Sequence, residues 1–151
     1  MKVYYFEDFQ TGDAFKSPAR TITEADLVLF AGLTGDHNAA HTDEIYAQQS
    51  PTGRRILHGV AGLSYAVGLE QRCGIKEGGG ALLVLGLTWD YRLPIFVGDT
   101  VHVVEVVSNK RVTSKDPSLG IVYFDVRLKN QHDNVTQEGE WKVMYKVRDP
   151  S

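Results

Sequence analysis

Asp36 and His41 stand five residues apart in the stretch Thr34-Gly35-Asp36-His37-Asn38-Ala39-Ala40-His41-Thr42-Asp43, and an acid beside an imidazole is equipment for moving protons. A neighbouring carboxylate fixes the tautomer of the ring and raises its basicity, and the unperturbed histidine pKa, about 6.5, suits proton transfer near neutrality. Held together, the two side chains would activate a water molecule. Their spacing sets a condition on the backbone. On a continuous helix positions five apart diverge by roughly 140°, so the side chains meet only if the chain bends between them. Gly35 can end a helix in the left-handed conformation, and Thr42, followed by Asp43 and Glu44, reads as the cap and acidic first turn of the next helix. The pair is expected on a bend between two helices.

Thr23 opens the helix that leads into this bend. It caps, Asp26 lies three residues on in capping-box fashion, and Ala25, Leu27, Val28, Phe30, Ala31 and Leu33 supply a broad apolar face up to Gly35. A shorter helix is expected from Asp43 to Gln48, then a loop through Pro51-Thr52-Gly53 to Arg54-Arg55. The run from His58 to Cys73 has helical length and apolar residues nearly all round, which predicts a core helix wrapped by other structure on most sides. Its small residues, among them Gly59, Ala61, Gly62 and Ser64, let a sheet or substrate approach closely, and Gly74 supplies the stop.

Short extended pieces at Val3 to Phe6 and Ala14 to Arg20 flank the turn Thr11-Gly12-Asp13, upstream of that first helix. Downstream of Gly78-Gly79-Gly80 the composition turns to strands: Ala81 to Arg92, Thr100 to Lys110, Gly120 to Asn130 and Val135 to Arg148. Turn residues between them predict antiparallel, meander-like pairing. This order predicts a single α+β domain over residues 1–151, a curved antiparallel sheet wrapped around one long central helix. Such a sheet leaves an edge strand that a second copy commonly covers, so a homodimer is expected.

The chain has 151 residues, with 16 Lys and Arg against 19 Asp and Glu and a formal charge of -3, so it lacks the broad basic field that nucleic acid would require. No run approaches the roughly 18 apolar residues that span a bilayer, which argues against a membrane partner. The lone Cys73 cannot form an intramolecular disulfide, and Lys2, Tyr4, Glu7 and Asp8 stand where a signal peptide would be apolar, so a cytoplasmic location is expected.

Several ordered motifs carry a family resemblance. Gly35-Asp36-x-Asn38-x-x-His41, then Leu57-His58-Gly59 opening an apolar helix, then Leu93-Pro94-Ile95-Phe96-Val97-Gly98-Asp99-Thr100 resemble the MaoC-like, R-specific enoyl-CoA hydratase group of hot-dog-fold proteins. Tyr5-Phe6-Glu7-Asp8 with Gly12-Asp13, and the late Gly139-Glu140-Trp141, are similar to the same group, so the resemblance covers nearly the whole chain. It implies the hot-dog fold and reversible addition of water to a trans-2-enoyl thioester, giving a 3-hydroxyacyl thioester. It further implies Asp36 and His41 as the acid-base pair, Asn38 as an orienting neighbour and the Gly59 amide as an oxyanion donor. Coenzyme A enters only as part of an acyl-CoA substrate, with no metal or further cofactor implied.

The chemistry is consistent with those residue types. Conjugation with the thioester makes the β carbon electrophilic, and charge that builds on the thioester oxygen needs a donor such as a helix N-terminus. The chain departs from the family motif at Ala39 and Ala40, where proline and a bulky aliphatic are usual, and at Val67, where some members carry serine; Ser64 lies one turn earlier. Substrate contacts are expected from His58, Ser64 and Val67, and phosphate contacts from Arg54 and Arg55.

Other readings of these residues are weaker. His37 and His41 are four apart, but Asn38 stands where a zincin helix needs glutamate and no third ligand is evident. Gly78 to Gly80 lacks the strand-before, helix-after setting of a nucleotide loop, and Cys73 reads as a buried side chain. Trp89, Tyr91, Phe124, Trp141 and Tyr145 alternate with polar neighbours, as sheet packing does. Two other functions suit the same fold. One is a noncatalytic acyl-thioester-binding or assembly subunit. The other is a thioesterase, whose helix carboxylate would be Glu70, about 16 Å from Gly59 at 1.5 Å per residue.

Overall fold

The structure, a computed structural model, describes residues 2–148. Its strands are β1 (Ala14–Lys16), β2 (Arg20–Thr21), β3 (Ala81–Leu87), β4 (Asp90–Tyr91), β5 (Thr100–Val112), β6 (Leu119–Lys129) and β7 (Val135–Lys146). They form one antiparallel sheet in the order β1-β5-β6-β7-β3, with β2 beside β5 and β4 beside β7. Alternation along the long strands puts Val101, Val103 and Val107 of β5 and Val122, Phe124, Val126 and Leu128 of β6 into the core. Only β5, β6 and β7 run as the expected meander. β3 pairs with β7, placing Leu87 opposite Trp141, because the second edge of β5 is already taken by β1 and β2.

The N-terminal segment differs from its expectation. Phe6–Asp8 is a turn of 3-10 helix, closed by the Asp8 carboxylate accepting the Tyr5 N–H at 2.8 Å. Ser17 and Pro18 divide the second extended piece into β1 and β2, and the Ser17 hydroxyl accepts the Val103 N–H at 2.9 Å. Proline has no N–H to offer the ladder, so pairing breaks there.

The helices are α1 (Glu24–Thr34), α2 (Ala39–Thr42), α3 (Glu44–Gln48) and α4 (Gly59–Gln71). Thr23 and Asp26 form the capping box that opens α1, and Gly35, at φ 76°, ends it in the left-handed region. α1 buries a narrower stripe than its sequence suggests: Asp26, Leu27 and Ala31 are inside, whereas Val28, Leu29 and Leu33 are exposed. The helix expected from Asp43 to Gln48 is α3, and the bend before it holds a further short helix, α2. Asn38 caps α2 by accepting the Ala40 N–H, and Asp43 caps α3 by accepting the Tyr46 N–H. Thr42 does not cap, because its hydroxyl turns back to the carbonyls of His37 and Asn38.

α4 packs against β5 and buries Ala61, Gly62, Ala66, Leu69 and Glu70. A Cβ at Gly62 would collide with the Gln137 carboxamide, so glycine lets the helix lie close on β7. Burial does not extend round the helix as expected; Val60 and Val67 are 55% and 41% exposed. Phe9, Phe124, Trp141 and Tyr145 fill the core beneath it, each such side chain contributing about 1.5–3 kcal/mol on burial. At the far end of α4, buried Lys76 pairs with Glu70 and Glu105 between the rings of Phe124 and Trp141. Burial pushes the Glu105 carboxyl up and the Lys76 ammonium down, each against the pull of the other. The sheet curving around α4 is the hot-dog fold. Among the described residues, no helix is long and apolar enough to cross a membrane.

Candidate active site

The bend between α1 and α2 is built from local hydrogen bonds. After the left-handed Gly35, the Asp36 N–H donates to the Thr34 hydroxyl, and one oxygen of the Asp36 carboxylate accepts the Asn38 N–H at 3.2 Å. Asn38 then caps α2, whose third residue is His41. The convergence required by the five-residue spacing is met: His41 Nε2 lies 4.0 Å from the other Asp36 oxygen. That gap is too long for a direct hydrogen bond and suits a bridging water.

A backbone carbonyl fixes the protonation pattern of the ring. His41 Nδ1 is 2.8 Å from the Ile56 oxygen, which can only accept, so Nδ1 carries the hydrogen and Nε2 of the neutral ring presents its lone pair. Both the carboxylate and Nε2 are then acceptors. A water between them donates to each and keeps an oxygen lone pair free for attack, which is the arrangement of a general-base site.

His58 supports this pair from behind. It is 2% exposed, its Nε2–H donates to the Asp36 carbonyl at 2.9 Å, and its ring stacks on His41 with centroids 3.8 Å apart. Phe30 of α1 packs on its other side, at 5.1 Å between centroids. The metal-ligating atoms of Asp36, His41 and His58 lie within 4.8 Å of one another. The two rings, however, are only 25° from parallel, so their in-plane lone pairs do not converge on one point. The carboxylate and the free ring nitrogen of His41 are placed so that a proton can pass between them and a shared water.

Gly59 follows His58 as the first residue of α4, where helix N–H groups lack intrahelical acceptors. Its own carbonyl accepts the Gln137 side-chain N–H at 3.1 Å. A Cβ at Gly59 would press on the Tyr91 ring, so only glycine fits without displacing it. A groove of about 380 Å³ runs past Gly59 between Ile56, Tyr91, Leu93, Pro94 and Gln137. On the α1 side of His41, a smaller cavity of about 130 Å³ is lined by Leu27, Val28, Ala31 and His37.

The remaining candidates fall outside this cluster. Ser64, whose hydroxyl donates to the Val60 carbonyl, and Val67 lie on the exposed side of α4. Arg54 lies over the Phe96 ring at 3.9 Å, and Arg55 is held by Glu24 and Glu44. Glu70 is fully buried with Lys76, at the opposite end of α4 from Gly59. Sequence reasoning missed three supports of the site: the Ile56 carbonyl, the His58 bond to Asp36 and the Phe30 ring. The only sequence signal toward them is the position of His58 at a helix start.

The family described as MaoC like domain matches residues 8–126 of this chain. The chain is similar to the (R)-specific enoyl-CoA hydratase of Rhodospirillum rubrum, 34% identical over 146 residues that cover 97% of this chain and 94% of the other. It is 39% identical over 109 residues to Protein MaoC of Klebsiella aerogenes, covering 72% of this chain but only 32% of that longer protein. Among solved structures, the MaoC-like dehydratase of Rhodospirillum rubrum is similar at a TM-score of 0.87 with 26% identity, covering 96% of this chain and 98% of that one. By family pattern, by a relative matched along nearly its whole length and by fold, this chain belongs to the MaoC-like dehydratase family.

Proposed function

We propose that the protein catalyses reversible hydration of a trans-2-enoyl-CoA thioester to a 3-hydroxyacyl-CoA. The observation that carries this reading is the Asp36–His41 pair, 4.0 Å apart, with Nδ1 of the ring committed to the Ile56 carbonyl. In the forward direction the water oxygen bonds to the β carbon and one water proton passes to the pair. The electrons of the double bond move onto the thioester oxygen, where the Gly59 N–H at the positive end of α4 receives them. The pair then returns its proton to the α carbon, and one water has been added with no other reactant consumed. Relatives named (R)-specific enoyl-CoA hydratase and 3-hydroxybutyryl-CoA dehydratase support this substrate class.

The acyl thioester enters along the groove past Gly59, and Arg54, in the adjoining cavity that shares Leu93 and Pro94 with it, is a contact for the phosphates of coenzyme A. Ser64 and Val67 border the acyl group in the assembled protein, while His58 acts from behind His41. The functional unit is a cytoplasmic homodimer, joined through β3 and the exposed side of α4. The one cysteine of each chain, Cys73, is free, which fits a reducing compartment. The test is loss of the enoyl-thioester absorbance of crotonyl-CoA and of longer homologues. Turnover on at least one supports the proposal; none across the panel overturns it.

A further inference from the structure

Arg55 sits one residue before the carbonyl that orients His41, and its guanidinium has two other partners. Nε donates to Glu44 at 2.9 Å, and Nη1 and Nη2 donate to the two oxygens of Glu24 at 2.6 and 2.9 Å. Glu24 begins α1, the helix whose end carries Asp36; Glu44 begins α3, directly after the short helix that carries His41. One guanidinium therefore fastens together the three segments that supply the acid, the base and the orienting carbonyl. Isolated exposed ion pairs contribute little, but a bidentate arginine in a charge network is the recognised exception, and this side chain is only 22% exposed.

Ile56, the residue that follows Arg55, is gripped at both its N–H and its carbonyl by α2. The Ile56 N–H donates to the Ala40 carbonyl at 3.1 Å, while the Ile56 carbonyl accepts from His41 Nδ1. Arg55 also lines the small cavity beside His41. With three donors committed to carboxylates, its fork is no longer free to clamp a phosphate.

Resting on the hydration reading above, we infer that Arg55 is a positioning residue of the acid-base pair: by tying α1 and α3 to residue 55 it holds the Ile56 carbonyl on His41, and it does not bind coenzyme A. The experiment compares wild type with Arg55→Gln, Arg55→Lys and Glu24→Gln on crotonyl-CoA and on crotonyl-pantetheine, which lacks the nucleotide phosphates. For Arg55→Gln, kcat is expected to fall by about 10- to 100-fold on both substrates, with KM nearly unchanged. Arg55→Lys keeps the charge without the fork and should fall between. Glu24→Gln leaves the arginine in place and should lower kcat in the same direction, so an unfolded Arg55→Gln does not end the test.

A loss carried by KM and confined to the coenzyme A substrate would make Arg55 a phosphate contact and overturn the inference, as would an unchanged kcat. Imidazole nitrogen NMR supplies a readout independent of turnover: His41 should be the Nδ1–H tautomer in wild type and a mixture in Arg55→Gln. If wild type hydrates no enoyl thioester, the functional reading fails while this measurement still decides the role of Arg55. A single unchanged tautomer in the variant overturns it.

Discussion

In the hydration proposed above, His41 acts as a base only through Nε2, because Nδ1 is engaged by Ile56, and Asp36 acts through the oxygen that faces Nε2. Asp36→Asn keeps the shape and the acceptor for the Asn38 N–H while removing the charge; His41→Ala removes the base outright. Each is expected to lower kcat for hydration by about 10²- to 10⁴-fold with the fold intact. The double variant should fall little further, since groups that act as a unit are not additive. Steady-state rates with circular dichroism on the same samples check this, and wild-type turnover in either variant would place the proton transfer elsewhere. The pair is legible in the sequence because its bend is local and marked by a left-handed glycine, although the sequence points to Thr42 as the cap where Asn38 and Asp43 do the capping. Its supports are not. The Ile56 carbonyl and His58 act across 15 and 22 residues, and a backbone carbonyl has no side-chain signature. The twin arginines read alike as phosphate contacts, yet one lies over the Phe96 ring and the other is held by two carboxylates.

The site depends on how α1 is fastened, and beside the Arg55 link to Glu24 the Asp26 carboxylate makes four contacts. Asp26 accepts from the Thr23 N–H and hydroxyl, from the Tyr65 hydroxyl of α4 at 2.8 Å, and from Arg20 of β2 at 2.6 Å. Burial acts to raise its pKa, but the bonds from Thr23 and Tyr65 and the charge of Arg20 outweigh it and hold Asp26 below its ordinary 3.8. Burial and that same contact push the Tyr65 hydroxyl up to about 12. With the folded pKa depressed, the stabilisation is complete above the unfolded pKa and is lost as pH falls through the folded value. Asp26→Asn is therefore expected to destabilise by about 2 kcal/mol near neutrality, on the scale of hydrogen bonds to charged groups. The difference should shrink at pH below 3.8, and urea melts at neutral and strongly acid pH measure it; identical melts at neutral pH would refute the assignment. At this scale the sequence is informative wherever the signal is local, as in the capping box of α1 or the alternation of β5 and β6. The pairing of β3 with β7 escapes it, because strand order depends on which edge is already occupied.

The whole molecule presents two unlike sheet edges. On one side β1 and β2 are 3 and 2 residues long and separated by Pro18, which blunts them; on the other β3 runs for 7 residues without a charge or a proline. Successive strand residues point to opposite faces, and in β3 both faces are open, with Leu83 60%, Val84 50% and Leu85 44% exposed. A hollow of about 180 Å³ between Gln71 and β3 joins this strand to the end of α4, whose Val60 and Val67 are also uncovered. A long apolar edge of this kind is a template for another strand, and a second copy can pair with it about a two-fold axis so that each β3 covers the other. That arrangement accounts for a helix whose composition suits burial all round but which one chain covers only in part. The proposed homodimer is therefore expected to sediment at twice the chain mass of 16.8 kDa. Leu83→Glu with Leu85→Glu puts two carboxylates on this edge strand, where they meet those of the second copy and like charges repel across strands. Sedimentation should then report the single-chain mass, with apolar surface of β3 and α4 left bare and hydration activity reduced. A wild-type protein that sediments as a monomer at all concentrations, or a double variant that stays dimeric, would remove β3 as the interface.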